Sequence, residues 1–199
     1  VHLLANRADN KWSAFGKLVF PMGTAYEVPE PIRLRYPVLA LKNRAAHALM
    51  ISDIIEPVKA WREYKLALRG GQKWDYDFRR LFYAWTPDIT KEGFRTPVEV
   101  ASREKTAGHI TNLDIWVDPR GRAHLLWLER SVWEPRMREK FFPDVKLTTS
   151  LEHCVVEQGK VVERTTLAVG GEAPPRRSPA TRACTPRRTA ASLPSTTAA

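Results

Sequence analysis

Short runs of apolar residues, each ended by a polar turn, recur along most of this 199-residue chain. Pro- and Gly-bearing turns between such runs are typical of β-hairpins. The clearest series runs from Leu113 to Val169 and predicts four consecutive antiparallel strands. These are Leu113–Val117, Ala123–Leu128, Leu147–Val156 and Val161–Val169, with a charged insert after the second.

The same series occurs earlier in the chain. Ala46-His47-Ala48-Leu49 matches Ala123-His124-Leu125-Leu126, 77 positions further on, and Val1-His2-Leu3-Leu4 is a third copy. A recurring four-stranded unit indicates a repeat architecture. One such unit cannot bury both of its faces, so the copies are expected to stack radially, as propeller blades do. The recurrence of His2, His47 and His124 favours a structural role for these histidines within each blade.

We therefore predict an all-β chain, a partial β-propeller of about two and a half four-stranded antiparallel blades. The blades occupy about residues 1–31, 32–104 and 105–172. Inserts at 53–80 and 130–146 separate the second and third strands of the complete blades, and Val58–Leu68 has a helical pattern. Because Val1 starts inside a predicted strand, we expect the chain to be part of a longer protein.

The last residues, 173–199, are almost entirely Ala, Pro, Arg, Ser and Thr. Such a segment buries too little apolar surface to offset the entropy of ordering, so it is predicted to be disordered. It carries five arginines and no acid. The remaining residues 1–172 therefore hold +5 of the net charge of +10, mixed with Asp and Glu. That mixture favours a solvated surface over a nucleic-acid-binding one.

Other functional classes have little support in the sequence. No apolar run approaches the roughly 18 residues of a membrane helix, so no membrane association is expected. The two cysteines, Cys154 and Cys184, show no metal-binding spacing, and no disulfide scaffold, metal or cofactor is predicted.

One stretch resembles a known repeat. Tyr83-Ala84-Trp85-Thr86-Pro87-Asp88-Ile89 is followed by Gly93-Phe94 and by Pro97-Val98-Glu99-Val100. This is similar to a bacterial neuraminidase repeat, in which a strand ends in Ser/Thr-x-Asp, a Gly follows, and an aromatic residue leads into the next strand. The Thr and Asp side chains bond the loop backbone and the aromatic ring fills the blade.

The resemblance implies that residues 1–172 are part of a sialidase-like propeller. Its relatives include sialidases, other glycosidases, polysaccharide lyases and non-catalytic glycan-binding proteins. It implies a glycoside hydrolase or polysaccharide lyase acting on acidic glycans, with an extracellular or periplasmic location. The alternative is a non-catalytic propeller that binds glycans or proteins. The open edges of an incomplete ring are also expected to favour association with other strands.

In a propeller, the loops entering the first strand of each blade share one face with the loops between the second and third strands. Two arginines on one face of a strand hold a carboxylate well, which favours Arg33 and Arg35 as substrate-binding residues. The same mapping gathers further candidates, namely Tyr36, Asp53, Trp61, Tyr64, His109, Asp114, Glu129 and Arg130.

Sialidases use an arginine cluster, a tyrosine nucleophile assisted by Glu, and an Asp acid. In that scheme the arginine pair would take the first role, Tyr64 or Tyr76 the second and Asp114 or Asp53 the third, and no motif assigns these roles residue by residue. His109 with Asp114 would serve a lyase that removes a proton beside a carboxylate. The competing interpretation is a solvated strand edge with ordinary ion pairs.

Aromatic residues in and beside the inserts have two interpretations. They either stack on sugar rings or pack the inserts onto the blades. The residues concerned are Trp61, Trp74, Trp127, Trp133, Phe141 and Phe142.

Overall fold

A computed structural model describes residues 2–6, 8–71 and 75–171 of the chain. Val1, Trp74, Cys184 and the tail predicted to be disordered lie outside the described residues. Within the described part, the strands are β1 (His2–Asn6), β2 (Lys11–Gly16), β3 (Leu34–Lys42), β4 (Ala45–Ser52), β5 (Ile54–Ile55), β6 (Tyr76–Asp77), β7 (Arg80–Thr86), β8 (Val98–Ser102), β9 (His109–Val117), β10 (Ala123–Arg130), β11 (Thr148–Glu157) and β12 (Lys160–Gly171). The helices are α1 (Lys59–Leu68) and α2 (Pro135–Phe141), with a 3-10 turn at Glu104–Thr106.

Two four-stranded antiparallel sheets dominate the fold. Sheet 1 has the order β3-β4-β7-β8 and sheet 2 the order β9-β10-β11-β12, so each is a meander interrupted by an insert after its second strand. Two two-stranded antiparallel sheets, β1-β2 and β5-β6, complete the β structure of the described residues. The predicted antiparallel order, the positions of both inserts and the helix in the first insert are confirmed. None of the sheets in the described part of the chain closes on itself, and the propeller interpretation stays a proposal.

One strand differs from its prediction. The apolar run from Phe15 to Phe20 predicts a strand there, whereas β2 runs from Lys11 to Gly16. The turn before it explains the shift, because the backbone amide of Lys11 donates to the Asp9 carboxylate at 3.1 Å and Asn10 adopts a left-handed φ of 54°. Asn tolerates that conformation, so the chain reverses earlier than the apolar pattern suggests.

The two sheets pack face to face around one core. Sheet 1 contributes the fully buried Leu49, Leu81 and Tyr83, and sheet 2 contributes Leu125 and Trp127. Burial of side chains of this size stabilises by about 1.5–3 kcal/mol each, so this contact is the main source of cohesion between the sheets.

The second face of sheet 1 is also buried. Met50 and Phe82 pack there against Ile32 of the segment that precedes β3. Burial on both faces explains why β4 is an almost continuous run of buried residues and does not alternate. In contrast, the face of sheet 2 that points away from sheet 1 is partly exposed, and Trp116 on β9 is 57% accessible.

The two inserts meet each other beside the same ends of the sheets. The ring of Trp61 on α1 lies 5.4 Å from that of Phe142, and the ring of Tyr64 lies 5.5 Å from that of Phe141 on α2, both edge to face. The four insert rings named here therefore pack one insert against the other, whereas the sequence left open stacking on sugars or packing onto the blades.

The repeat seen in the sequence is also geometric. On the second strand of each sheet, a histidine places its Nδ1 next to a polar group of a ring from the third strand. His47 Nδ1 lies 2.7 Å from Tyr83 Oη, and His124 Nδ1 lies 3.1 Å from His153 Nε2. In both sheets the third-strand ring is paired with the residue two positions after the histidine. This correspondence supports the predicted structural role of His47 and His124; the side chain of His2 is outside the described part.

A glycine at the entrance to β9 tests how tightly the sheet ends are packed. A Cβ at Gly108 would lie 2.8 Å from the carbonyl oxygen of Ser131 and closer still to that of Arg130. Backbone atoms cannot move aside cheaply, so Gly108→Ala is expected to lower the free energy of unfolding by about 1–3 kcal/mol. Gly170→Ala is the matched control, because its Cβ would lie 3.8 Å from the carbonyl oxygen of Thr149, and its cost should stay within about 0.5 kcal/mol. Urea unfolding of both variants measures the difference, and equal stabilities would contradict the packing described.

Candidate functional site

The candidate site lies at the ends of the strands where both inserts emerge. The antiparallel order brings together the starts of β3, β7 and β9 and the ends of β4 and β10. A backbone hydrogen bond of 2.7 Å from Ile110 N to Phe78 O joins the start of β9 to the segment before β7. Loops that the sequence predicted to share one face therefore do lie together.

Four rings form a continuous row across this end of the molecule. Successive ring centroids are separated by 5.9 Å from Tyr36 to Phe78, 5.7 Å from Phe78 to His109 and 4.3 Å from His109 to Trp133. The last pair is stacked, with 23° between the planes, and the guanidinium of Arg130 lies 5.4 Å above Trp133. We call Tyr36, Phe78, His109 and Trp133 the aromatic row. The row and the Arg130 guanidinium above it bring together three of the predicted site residues, Tyr36, His109 and Arg130.

Tyr36 is held in a conformation that a bulky residue rarely adopts. Its φ is 52°, it lies in a bulge of β3 between Arg35 and Val38, and its side chain remains 58% exposed. The Asn112 side chain on β9 holds this bulge by donating to the carbonyls of Tyr36 at 2.6 Å and of Leu49 at 3.3 Å. A left-handed aromatic residue costs about 1–3 kcal/mol, and such strain and bulges are concentrated at functional sites.

His109 occupies the middle of the row as a neutral ring. Burial, and next the positive charge of Arg130, lower the pKa of His109 from its ordinary 6.5 to about 4. The imidazole is therefore uncharged near neutral pH and stacks on Trp133 as an aromatic ring. It is also a weak base in this environment.

A buried network of charges lies beneath the row. It consists of Glu56, Lys65, Asp77, Arg79 and Glu104, and we call it the Arg79 network. The Arg79 guanidinium pairs with Asp77, with Glu56 at 2.8 Å and with Glu104 at 3.3 Å, and Lys65 pairs with Glu56 at 2.9 Å. A crevice of about 10 Å³, enough for about one water molecule, separates parts of this network from His109 and Trp133.

The network continues to the segment before β3. Tyr26 Oη donates to Glu104 at 2.8 Å, and Arg80 lies 3.4 Å from the same hydroxyl. Burial, and next the charge of Asp77, raise the pKa of Glu104 to about 7. Sequence reasoning missed Tyr26, Arg79, Arg80 and Glu104, since no motif marks them and only folding brings these segments together.

The predicted arginine pair meets Asp53 at the edge of the site. Arg33 Nε donates to the Asp53 carbonyl oxygen at 2.9 Å, and its guanidinium lies 5.7 Å above the Tyr76 ring. The Arg35 guanidinium lies 3.9 Å from the Asp53 carboxylate and its side chain is 59% exposed. Arg33 is thus engaged by the backbone, whereas the exposed Arg35 lines a cleft with Pro37 and Met50 on the face of sheet 1 that points away from sheet 2.

The remaining candidates lie apart from the row. Tyr64 Oη donates to the carbonyl of Arg136 at 3.3 Å. Glu129 is buried, accepts from Trp127 Nε1 at 2.7 Å and pairs with Arg164 at 3.0 Å. These contacts tie Tyr64 to the insert and Glu129 to the core.

Asp114 is five residues along β9 from His109, or about 16 Å at about 3.3 Å per residue. Its carboxylate accepts from the backbone amide of Ile115 at 2.8 Å. The structure does not bring Asp114 next to His109 or Tyr64.

No protein-family model matches this chain, and no curated protein matches its sequence. Within residues 2–6, 8–71 and 75–171, no cluster of three or more His, Cys, Asp or Glu side chains is placed to hold a metal ion. None of the helices in the described part is long and apolar enough to cross a membrane. The sialidase-like resemblance therefore stays a prediction from sequence.

Removal of Arg79 should strongly destabilise the fold. In Arg79→Met, the carboxylates of Glu56 and Asp77 stay buried without their main partner, and the expected loss is about 3–5 kcal/mol. Lys59→Met, which breaks the exposed pair with Glu63 at 4.0 Å, is the control and should change stability by less than about 0.5 kcal/mol. Urea unfolding compares the two, and a loss in Arg79→Met no larger than that of the control would contradict the role assigned to the network.

The neutral His109 should make stability depend on pH. Because the pKa of His109 is lower in the folded than in the unfolded chain, its full stabilisation is present above about pH 6.5 and is lost as pH falls toward 4. In His109→Phe this loss is absent. Between about pH 7.5 and about pH 5, the wild type should lose about 2 kcal/mol more than the variant. Urea unfolding at both pH values measures the difference. Glu104 is present in both proteins, so its titration contributes equally to both pH profiles. If the two profiles are parallel, His109 is not held neutral.

Proposed function

We propose that this chain binds acidic glycans through the aromatic row, as part of a propeller-like protein. The observation that carries the proposal is Tyr36, a strained and exposed aromatic residue that begins a row of rings spanning both sheets. A packing role alone does not require an unfavourable backbone conformation that leaves the ring in solvent.

The row has the chemistry that sugar recognition needs. Aromatic rings present flat apolar faces to the C–H faces of sugars, and a few polar groups at their edges fix orientation. The guanidinium of Arg130 lies 5.4 Å above Trp133 at one end of the row. Guanidinium groups bind carboxylates in a two-point geometry, which favours glycans that carry carboxylates.

Binding is better supported than cleavage at this row. His109 is a weak base there, and the hydroxyl of Tyr64 donates to a backbone carbonyl in place of a carboxylate. Asp114 is five residues from His109 along β9, too far to act with it.

A glycosidase is the second candidate, on one observation. Tyr26 donates to Glu104 beside Arg79 and Arg80, and these are the residue types that the sialidase resemblance implies. In that case turnover of an acidic glycan should be measurable by release of reducing sugar and should be lost in Tyr26→Phe.

The proposal is tested with two forms of one polymer, polygalacturonate and its fully methyl-esterified derivative. In affinity electrophoresis, the acid in the gel should retard the migration of the wild-type protein, and the ester should retard it much less. Trp133→Ala and Tyr36→Ala should each weaken binding about tenfold or more, since loss of one stacking ring is worth about 1.4 kcal/mol. Arg130→Gln should reduce the preference for the acid.

Trp116→Ala is the matched control, because Trp116 is an exposed tryptophan on the far face of sheet 2, away from the row. If binding survives both row variants but is lost in Trp116→Ala, the site assigned here is wrong. Equal retardation by the acid and the ester would rule out carboxylate recognition.

A further inference from the structure

A wider cleft adjoins the aromatic row where sheet 2 ends. Its volume is about 320 Å³, at the small end of the range for ligand pockets in proteins and large enough for one sugar unit. Trp133, the last ring of the row, lies in its wall, so the row leads directly into the cleft. Four apolar side chains form the walls, namely Val132, Trp133, Pro135 and Leu147.

The strand register places three residues of this cleft in a line across sheet 2. Arg130 on β10 pairs with Thr149 on β11, and Thr149 pairs with Gly170 on β12. Residues that are directly paired in antiparallel strands share one face, with their Cβ atoms about 4.5–5.5 Å apart. The side chains of Arg130 and Thr149 are therefore neighbours, and Gly170, which has no side chain, leaves the space beside them open.

Both polar side chains are accessible to a ligand, because Arg130 and Thr149 are exposed. The carboxylate next to Arg130 in the sequence, that of Glu129, is on the buried side of β10 and pairs with two other arginines, Arg103 and Arg164. No carboxylate in the described part of the chain is within ion-pairing distance of Arg130. Its guanidinium can therefore take up a carboxylate without breaking an existing ion pair.

The two side chains recognise different groups of one ligand. A guanidinium holds a carboxylate through two parallel N–H···O bonds, and a threonine hydroxyl donates or accepts a hydrogen bond. Because the two are neighbours, they fit a carboxylate and a hydroxyl that lie close together in the same molecule. A uronic acid has this combination, since its carboxylate is joined to a ring that carries hydroxyls. The C–H face of that ring can lie against the apolar walls.

We propose that this cleft is the subsite for the acidic unit of the glycan and holds a single uronate residue. Arg130 binds its carboxylate, Thr149 binds a ring hydroxyl, and the ring lies over Gly170 between the apolar walls. This inference rests on the proposed function, because it assigns one unit of the bound glycan to the cleft.

Galacturonate and its methyl ester, which differ in the charge of one group, are the probes. The titration follows the indole N–H signal of Trp133 in NMR, which is assigned by its absence from the spectrum of Trp133→Phe. The dissociation constant for galacturonate should be on the order of 1 mM, as expected of a ligand with so few atoms. The ester should bind at least about tenfold more weakly, because it cannot form the charge-assisted pair with Arg130.

Three variants test the residues of the cleft. Arg130→Gln should weaken galacturonate binding about tenfold and Thr149→Val about threefold, since the first loses a charged partner and the second a neutral one. Gly170→Leu fills the cleft and should abolish detectable binding. The backbone accepts a side chain there, because a Cβ at Gly170 would lie 3.8 Å from the carbonyl oxygen of Thr149. Thr165→Leu, at another exposed position of β12, is the matched control and should bind as the wild type does.

Affinity electrophoresis of the same variants separates this inference from the proposed function. Polygalacturonate should retard Thr165→Leu as it retards the wild type, and should retard Gly170→Leu much less. If it retards folded Gly170→Leu as strongly as the wild type, this inference is wrong and the proposed function stands. If it does not retard the wild type, both are wrong.

Two further outcomes would overturn the inference alone. One is that galacturonate causes no shift of the Trp133 signal at about 10 mM, ten times the expected constant, although the polymer is bound. The other is that folded Arg130→Gln binds galacturonate unchanged. Far-ultraviolet circular dichroism establishes that each variant is folded, and Arg130→Gln and Thr149→Val keep the test decisive if Gly170→Leu does not fold.

Discussion

The buried guanidinium of Arg79 is the constraint on which the strand ends depend. Charge at this depth is tolerated only when it is paired and hydrogen-bonded. Its three acidic partners come from different places in the chain: Glu56 and Asp77 from the two ends of the first insert and Glu104 from the turn before β9. The network can be satisfied only when these segments are in their native places. It therefore holds the first insert, the start of β7 and the connection into sheet 2 at fixed spacing.

That spacing places rings from both sheets in one row. Phe78 is next to Arg79 in the chain and accepts a backbone hydrogen bond from Ile110, so the position of Arg79 is transmitted directly to the row. Asn112 then holds the strained Tyr36 from the opposite sheet. The face-to-face core keeps these two anchors in register. At the other end of the sheets, a cleft lined in part by His47 lies between the β3–β4 and β9–β10 turns.

Local pattern was a good guide to the elements and a poor guide to the site. Strand order and insert positions followed from alternation and turn residues, which are properties of neighbours in sequence. The site depends on register. Two bulges change which side chains share a face. One lies between Leu126 and Trp127 in the pairing of β10 with β9, and the other lies in β3. A one-residue shift in register moves every later side chain to the opposite face of the sheet.

The sequence by itself determined the antiparallel meanders, the inserts after their second strands and the recurring histidine, because each of these arises within a short stretch of chain. Only the tertiary structure decided that Arg79 lies at the centre and that Phe78 joins Tyr36 to His109. Those relations join residues tens of positions apart. They are settled by which faces pack and by where buried charges find partners, and neither is encoded in local spacing.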